Sequence, residues 1–155
     1  MEQFQQVLNA LLSELYHNIL RLEAQALQQS EKLKLSLSEM HLIECVGQGA
    51  ADGLTIRELA EKLQIKSPSV TVAVQKLVAK GYVEKLACLR DGRAVRVLLT
   101  QAGKLANAYH SYYHRMLSKT LADGLDEPEQ QALLRAVKKL NAYFLESLEN
   151  LEAKA

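Results

Sequence analysis

One stretch constrains this chain more than any other: residues 67–100, SPSVTVAVQKLVAKGYVEKLACLRDGRAVRVLLT. In its first half Val70, Val74 and Leu77 fall at i, i+4 and i+7, the apolar edge of a short helix. Ser67 suits the N-cap and Pro68 the first turn, where a missing N–H costs nothing. Gly81 stops the helix. Two strand-like runs follow, residues 83–88 and 94–99, joined by Leu89-Arg90-Asp91-Gly92-Arg93. In the second run Val95, Val97 and Leu99 alternate with Ala94, Arg96 and Leu98, the period of a strand.

Upstream, Ser36-Leu37-Ser38-Glu39 and Thr55-Ile56-Arg57-Glu58 both fit the capping box, in which a hydroxyl caps the helix and a glutamate three residues on reaches back. They predict a helix from Ser36 to Gly47 or Gly49, carrying Met40, Ile43 and Val46, and one from Thr55 carrying Ile56, Leu59, Ala60 and Leu63. About three residues then separate this helix from the one opening at Ser67, which is helix-turn-helix spacing. With the hairpin behind it, the predicted fold is mainly α with a small β-hairpin wing: a winged helix-turn-helix.

The ends of the chain carry longer stripes. Phe4, Leu8, Leu11, Leu15, Ile19 and Leu22 mark one face of a helix reaching Ser30, and Leu133, Val137, Leu140, Phe144, Leu148 and Leu151 mark another near the C-terminus. Thr100 caps a helix running to about Leu121, and Asp126 with Pro128 and Glu129 opens the last one. Two such stripes, neither continuous with the winged module, suit a dimer interface. The expected organisation is a single domain over residues 1–155, with a DNA-binding lobe at residues 36–100 and dimerisation helices at residues 1–30 and 100–155.

Net charge is only +1, but it is unevenly placed. Residues 55–104 hold ten basic and four acidic side chains, a net of +6, which leaves −5 for the remainder. A basic centre in an acidic chain is an electrostatic footprint for a polyanion. The fourth helix has no acid between Ser67 and Lys80; its outward residues are Ser69, Thr71, Val72, Gln75 and Lys76. A helix facing only solvent carries Glu–Lys pairs instead. Ser67 and the helix start would fix phosphates, and Gln75 could bond a base edge. Arg90 and Arg93 sit at the hairpin tip, where an arginine suits the narrow, negative minor groove. Asp91 would orient Arg93 or Arg96 by a salt bridge.

Other chemistries find little support. There is no phosphate-binding glycine loop, no GxSxG elbow and no metal-finger cysteine spacing, so an enzyme is not expected. Cys45 and Cys88 are read as reduced thiols. No apolar run approaches the ~20 residues that span a bilayer. The N-terminus lacks a basic region and a cleavage site, so the expected location is the cytoplasm, without membrane contact.

The order of elements, Lys80-Gly81-Tyr82-Val83, and the run Asp91-Gly92-Arg93-Ala94-Val95-Arg96-Val97-Leu98-Leu99-Thr100 with Gly103 after it resemble the MarR family of winged-helix transcription regulators, whose wing reads D-x-R before a strand and L-T-x-x-G. The resemblance covers the whole chain. It implies a homodimer on double-stranded DNA with a pseudo-palindromic operator, the fourth helix in the major groove and Arg93 in the minor groove. The DNA-contacting set is then Ser67, Pro68, Ser69, Thr71, Val72, Gln75, Lys76, Arg90, Arg93 and Arg96. Glu39-Met40-His41 with His110-x-x-x-His114 resembles the branch that represses fatty-acid biosynthesis operons in Gram-positive bacteria, where the effector is a long-chain acyl group on its carrier protein.

An effector pocket is expected near Met40, His41, Tyr109, His110, Tyr113 and His114, although aromatics at helical spacing are commonly plain core. No cofactor is required. His110 and His114, at i and i+4, can reach one metal, and in the family the helices bearing His41 approach them. Zinc held by His41, His110 and His114 is therefore an alternative to simple hydrogen-bonded histidines. The rival functions are a zinc-responsive regulator of the same fold and a winged-helix module for protein–protein contact, which would carry an acid on the fourth helix.

Overall fold

A computed structural model describes residues 2–29, 33–87 and 95–152. The elements are α1 (Glu2–Gln29), α2 (Leu37–Gly47), β1 (Leu54–Thr55), α3 (Ile56–Leu63), α4 (Ser67–Ala79), β2 (Val83–Ala87), β3 (Val95–Leu99), α5 (Gln101–Asp123) and α6 (Glu127–Glu152). They divide into two compact units, Met1–Ser111 and Tyr112–Ala155, with α5 running from one into the other.

In the first unit the anticipated caps form. The Ser36 hydroxyl accepts from the Glu39 N–H and the Glu39 carboxylate accepts from the Ser36 N–H, and Thr55 and Glu58 repeat the pattern. The turn between α3 and α4 is set by Gln64, whose φ of 52° is left-handed. Capping differs from expectation at α4. Lys66, not Ser67, is the N-cap and makes no side-chain cap bond; Ser67 and Pro68 form the first turn. Val70, Val74 and Leu77 are fully buried against Met40, Ile43 and Leu59. Each such aliphatic contributes roughly 1.5–3 kcal/mol by leaving water, so the α4 stripe alone ties α2, α3 and α4 into one core.

The sheet has a strand beyond the expected hairpin. β1, only two residues long, pairs antiparallel with β3 (Leu54 opposite Val97, Thr55 opposite Arg96), giving the order β1-β3-β2. β2 pairs with the other edge of β3, Val83 opposite Leu99 and Ala87 opposite Val95. Burial fades along the ribbon: Val83 and Val97 are buried, whereas Leu86 and Val95 are exposed. The ribbon is rooted in the core at one end and leaves it at the other.

Thr100 locks that root. Its N–H donates to the Tyr82 carbonyl (3.1 Å), its hydroxyl to the Gly81 carbonyl (2.7 Å), and the same hydroxyl accepts from the Gly103 N–H (3.1 Å). Gly103 must be glycine because a Cβ there would overlap the Tyr82 carbonyl oxygen. Gly81, at φ +78°, supplies the left-handed residue that turns the chain from α4 into β2. The Gly81-Tyr82 and L-T-x-x-G motifs are thus two halves of one joint between α4, the ribbon and α5.

In the second unit Asp126 and Glu129 make a reciprocal capping box (2.8 and 2.9 Å). The Gln130 side chain donates to the Ala122 and Leu125 carbonyls, stitching the turn before α6 to the end of α5. The terminal stripes are uncovered within the chain: Phe4, Leu11, Leu15 and Leu22 on α1, and Leu133, Val137, Phe144 and Leu148 on α6, are all exposed. No helix among the described residues is long and apolar enough to cross a membrane.

Candidate nucleic-acid interface

The outward face of α4 is made by exclusion. With Val70, Val74 and Leu77 committed to the core, Ser67, Pro68, Ser69, Val72, Gln75 and Lys76 are exposed and Thr71 is half-buried. Thr71 donates its hydroxyl proton to the Ser67 carbonyl (3.0 Å), leaving its oxygen lone pairs as acceptors. The N-terminus of α4 has no capping side chain and no acid in its first turn. Pro68 has no N–H and the Ser69 N–H donates to the Lys66 carbonyl (2.9 Å), so the helix start offers a phosphate the Ser67 N–H and the positive dipole end beside Lys66.

The far end of α4 is anchored. Lys80, its C-cap, donates to both Glu39 carboxylate oxygens (2.7 and 2.8 Å) and to the Lys34 carbonyl (3.0 Å). Burial opposes the charge on Glu39, but the Lys80 and Ser36 bonds outweigh it and hold the carboxyl below its ordinary range. This pair fixes α4 to the start of α2, and the sequence reading missed it because 41 residues separate the partners.

Arg96 is tied down at the base of the ribbon. It donates to the Gly53 carbonyl (2.6 Å) and lies 3.4 Å from the Asp52 carboxylate, tying β3 to the turn before β1. Its acidic partner among the described residues is Asp52; the expected bridge from Asp91 to Arg93 or Arg96 involves Asp91 and so lies outside the described residues. Arg90, Asp91 and Arg93, with Cys88 and Ala94, lie outside the described residues. Cys45 is buried, and burial pushes its thiol pKa up, as befits an unreactive thiol.

A second group gathers on the first unit. Glu23 of α1, His41 of α2 and His110 of α5 bring one donor atom each to within 4.8 Å of one another. His41 Nε2 is 3.5 Å from Glu23 Oε2, the two imidazole centroids are 6.0 Å apart, and Glu44 Oε2 lies 3.6 Å from His110 Nδ1. Glu23 and His110 are buried and His41 is half-exposed. The expected triad was His41, His110 and His114. The gathered group has Glu23 as its third member, and the His114 ring packs edge-on against Tyr113 (5.6 Å). Of the other expected pocket residues, Met40 is fully buried in the core and Tyr109 is exposed.

An acid-free helix of a helix-turn-helix, open at its N-terminus and followed by a projecting antiparallel ribbon, defines a winged-helix nucleic-acid-binding module. The model of the MarR family matches residues 35–94, from the first capped helix into the wing. The structure is similar to that of Streptococcus pneumoniae FabT in complex with DNA, at 29% identity and a TM-score of 0.86, covering 93% of this chain and 99% of that one. The fold also matches the S. aureus MepR–DNA complex (21% identity, TM-score 0.70, 87% of this chain and 96% of that one). A Bacillus subtilis (strain 168) protein described as the uncharacterized HTH-type transcriptional regulator YhjH is 25% identical over 109 residues, 70% of this chain. The match spans 61% of that relative's length. Residues 35–94 thus resemble the MarR family, and most of the chain shares the fold of winged-helix regulators that were solved on DNA.

Proposed function

We propose that the protein is a homodimeric, sequence-specific repressor of transcription whose affinity for DNA is set by an effector. The observation that carries this reading is the outward face of α4: exposed Ser67, Ser69, Val72, Gln75 and Lys76, no acid, and an uncapped N-terminus. Gln75 reads a base edge in the major groove, Ser67, Ser69, Thr71 and Lys76 engage the backbone, Pro68 and Val72 pack against it, and Arg90 and Arg93 enter the minor groove. The acid that a protein–protein module would carry on this helix is missing. Arg96 contributes mainly by holding the ribbon at its base.

Dimerisation through residues 1–30 and 100–155 covers the exposed stripes of α1 and α6, since a run of uncovered aliphatic and aromatic side chains of that length marks an interaction surface. The lobe at residues 36–100 then occurs twice in the particle. The protein is not an enzyme and acts in the cytoplasm, where its DNA is. Its effector is a small molecule or a long-chain acyl group on a carrier protein, with fatty-acid biosynthesis as the controlled pathway. The Glu39-Met40-His41 and His110-x-x-x-His114 motifs and the similarity to FabT support that branch. Met40, His41, Tyr109, His110, Tyr113 and His114 are the residues assigned to it.

Arg93→Ala tests the wing. Operator affinity in a gel-shift titration should fall more than about tenfold, with the dimer intact by light scattering; unchanged affinity would remove the wing from the mechanism.

A further inference from the structure

We propose that Val72 is a specificity-determining residue, which sets its side-chain methyl groups against the C5-methyl of a thymine in each operator half-site. This readout rests on the DNA-binding reading of α4 and deepens it. At about 100° per residue, Val72 stands on the side of α4 opposite the buried stripe of Val70, Val74 and Leu77. Its neighbours at i−4, i−3, i+3 and i+4 are Pro68, Ser69, Gln75 and Lys76, all exposed. Val72 is therefore the centre of the outward face, and that centre is apolar and 52% exposed.

Water is a poor occupant for that position. A β-branched residue is a weaker helix former than a straight-chain one, and a helix face meeting only solvent does better with charged or amide side chains. Ser69, Gln75 and Lys76 surround Val72 with polar groups and no acid, which leaves room at the centre for a small apolar group. The major groove presents one such group, the thymine C5-methyl. It stands beside the backbone that Val72 packs against, so one side chain meets both. On one flank Val72 and Ala73 line a shallow cleft with Ile65 and Leu63, where the methyl meets further apolar surface. The acid in that lining, Glu39, is paired with Lys80 (2.7 Å), so its charge is compensated where the phosphates approach.

The helix geometry also fixes where the thymine lies. Val72 and Gln75 are about 4.5 Å apart along the helix axis, little more than the ~3.4 Å between successive base pairs. The thymine therefore falls within two base pairs of the pair that Gln75 reads. Taking one methyl group out of water strengthens binding about fourfold per half-site, and so about 15-fold for the two half-sites of a dimer.

The test uses the full chain and synthetic duplexes of the tightest-binding fragment that it selects from genomic DNA. Each thymine is replaced in turn by deoxyuridine, which removes only the methyl, at the matching positions of both half-sites. The wild type should lose about 15-fold in affinity at one such position, within two base pairs of the pair at which Gln75→Ala relaxes preference. Val72→Ala should bind the thymine operator about tenfold or more weakly than the wild type does, and should distinguish it from the deoxyuridine operator by less than about twofold. Val72 is exposed, so this variant keeps the fold, as circular dichroism will verify. A wild type indifferent to every deoxyuridine, a sensitive thymine farther from the Gln75 pair, or a Val72→Ala protein as sensitive as the wild type overturns the readout and leaves the DNA-binding reading standing. A wild type that prefers no fragment over bulk DNA overturns the DNA-binding reading, and the readout with it.

Discussion

Replacing Lys80 by methionine removes the ammonium that joins α4 to α2 while keeping most of the side-chain volume. Three donated bonds disappear, two to the Glu39 carboxylate and one to the Lys34 carbonyl. A hydrogen bond to a charged group contributes about 1.5–3 kcal/mol, and stripping one partner from a fully buried ion pair costs about 3–5 kcal/mol. Both figures are too large here. The Lys80 side chain is 38% exposed, so water screens the pair and rehydrates the stranded carboxylate. Glu39 also keeps its bond from the Ser36 N–H. The expected loss is therefore about 1–2 kcal/mol, above the ~0–1 kcal/mol of an exposed pair. For a chain of this size that lowers the melting temperature by about 3–7 °C. The assay is thermal or urea unfolding at fixed protein concentration, because a dimer's stability depends on it. Glu39→Gln and the double variant complete a cycle whose coupling should be about 1 kcal/mol. Additive single variants, or a Lys80→Met change within about 0.3 kcal/mol of zero, would refute the anchoring role.

Gly103→Ala forces the new methyl against the Tyr82 carbonyl and should cost about 1–3 kcal/mol in the same assay; an unchanged or higher melting temperature would refute the close-approach account. Arg96→Met should destabilise the fold by about 1–2 kcal/mol through its lost bond to the Gly53 carbonyl, whereas unchanged stability with weakened operator binding would make Arg96 a DNA contact instead. The Thr55 N–H and hydroxyl hold the Glu58 carboxyl below its ordinary 4.5, so the stability it contributes is present above that value and lost as pH falls through the lowered one. Thr55→Ala removes the hydroxyl but keeps the N–H, the larger cause, so it should reduce that acid-side loss only in part in urea titrations run from neutral pH to below 4.5; a loss as large as in the wild type would contradict the hydroxyl's share.

What could be read from the sequence was local. Both capping boxes, the α4 stripe of Val70, Val74 and Leu77, and the alternation in β3 are written within a few residues and survive folding because tertiary contacts reinforce them. Features built from distant segments could not be read. β1 is two ordinary residues that become a strand only because the edge of β3 is free to pair with them. Lys80 was counted only in the basic tally and Arg96 also among the DNA contacts, while their heads find Glu39 and Gly53, partners set by topology. The histidine cluster was half legible. His41 and His110 were singled out, but the i, i+4 spacing promoted His114, and nothing in the text of α1 marked Glu23 as the side chain that folding brings to them. Ser67 misled in a smaller way: a serine before proline is a good N-cap, but Lys66 takes that place and the serine joins the first turn.

Recognition of DNA by α4 is the central claim, and selection of bound fragments from genomic DNA by the full chain tests it most directly. The account predicts enrichment of a pseudo-palindrome with half-sites about one helical turn, ~34 Å, apart. Affinity for that site should fall steeply as salt rises and drop by about 1–3 kcal/mol in Gln75→Ala, with relaxed preference at one base pair of each half-site. Fragments without a shared sequence, or binding indifferent to both salt and Gln75, would contradict it.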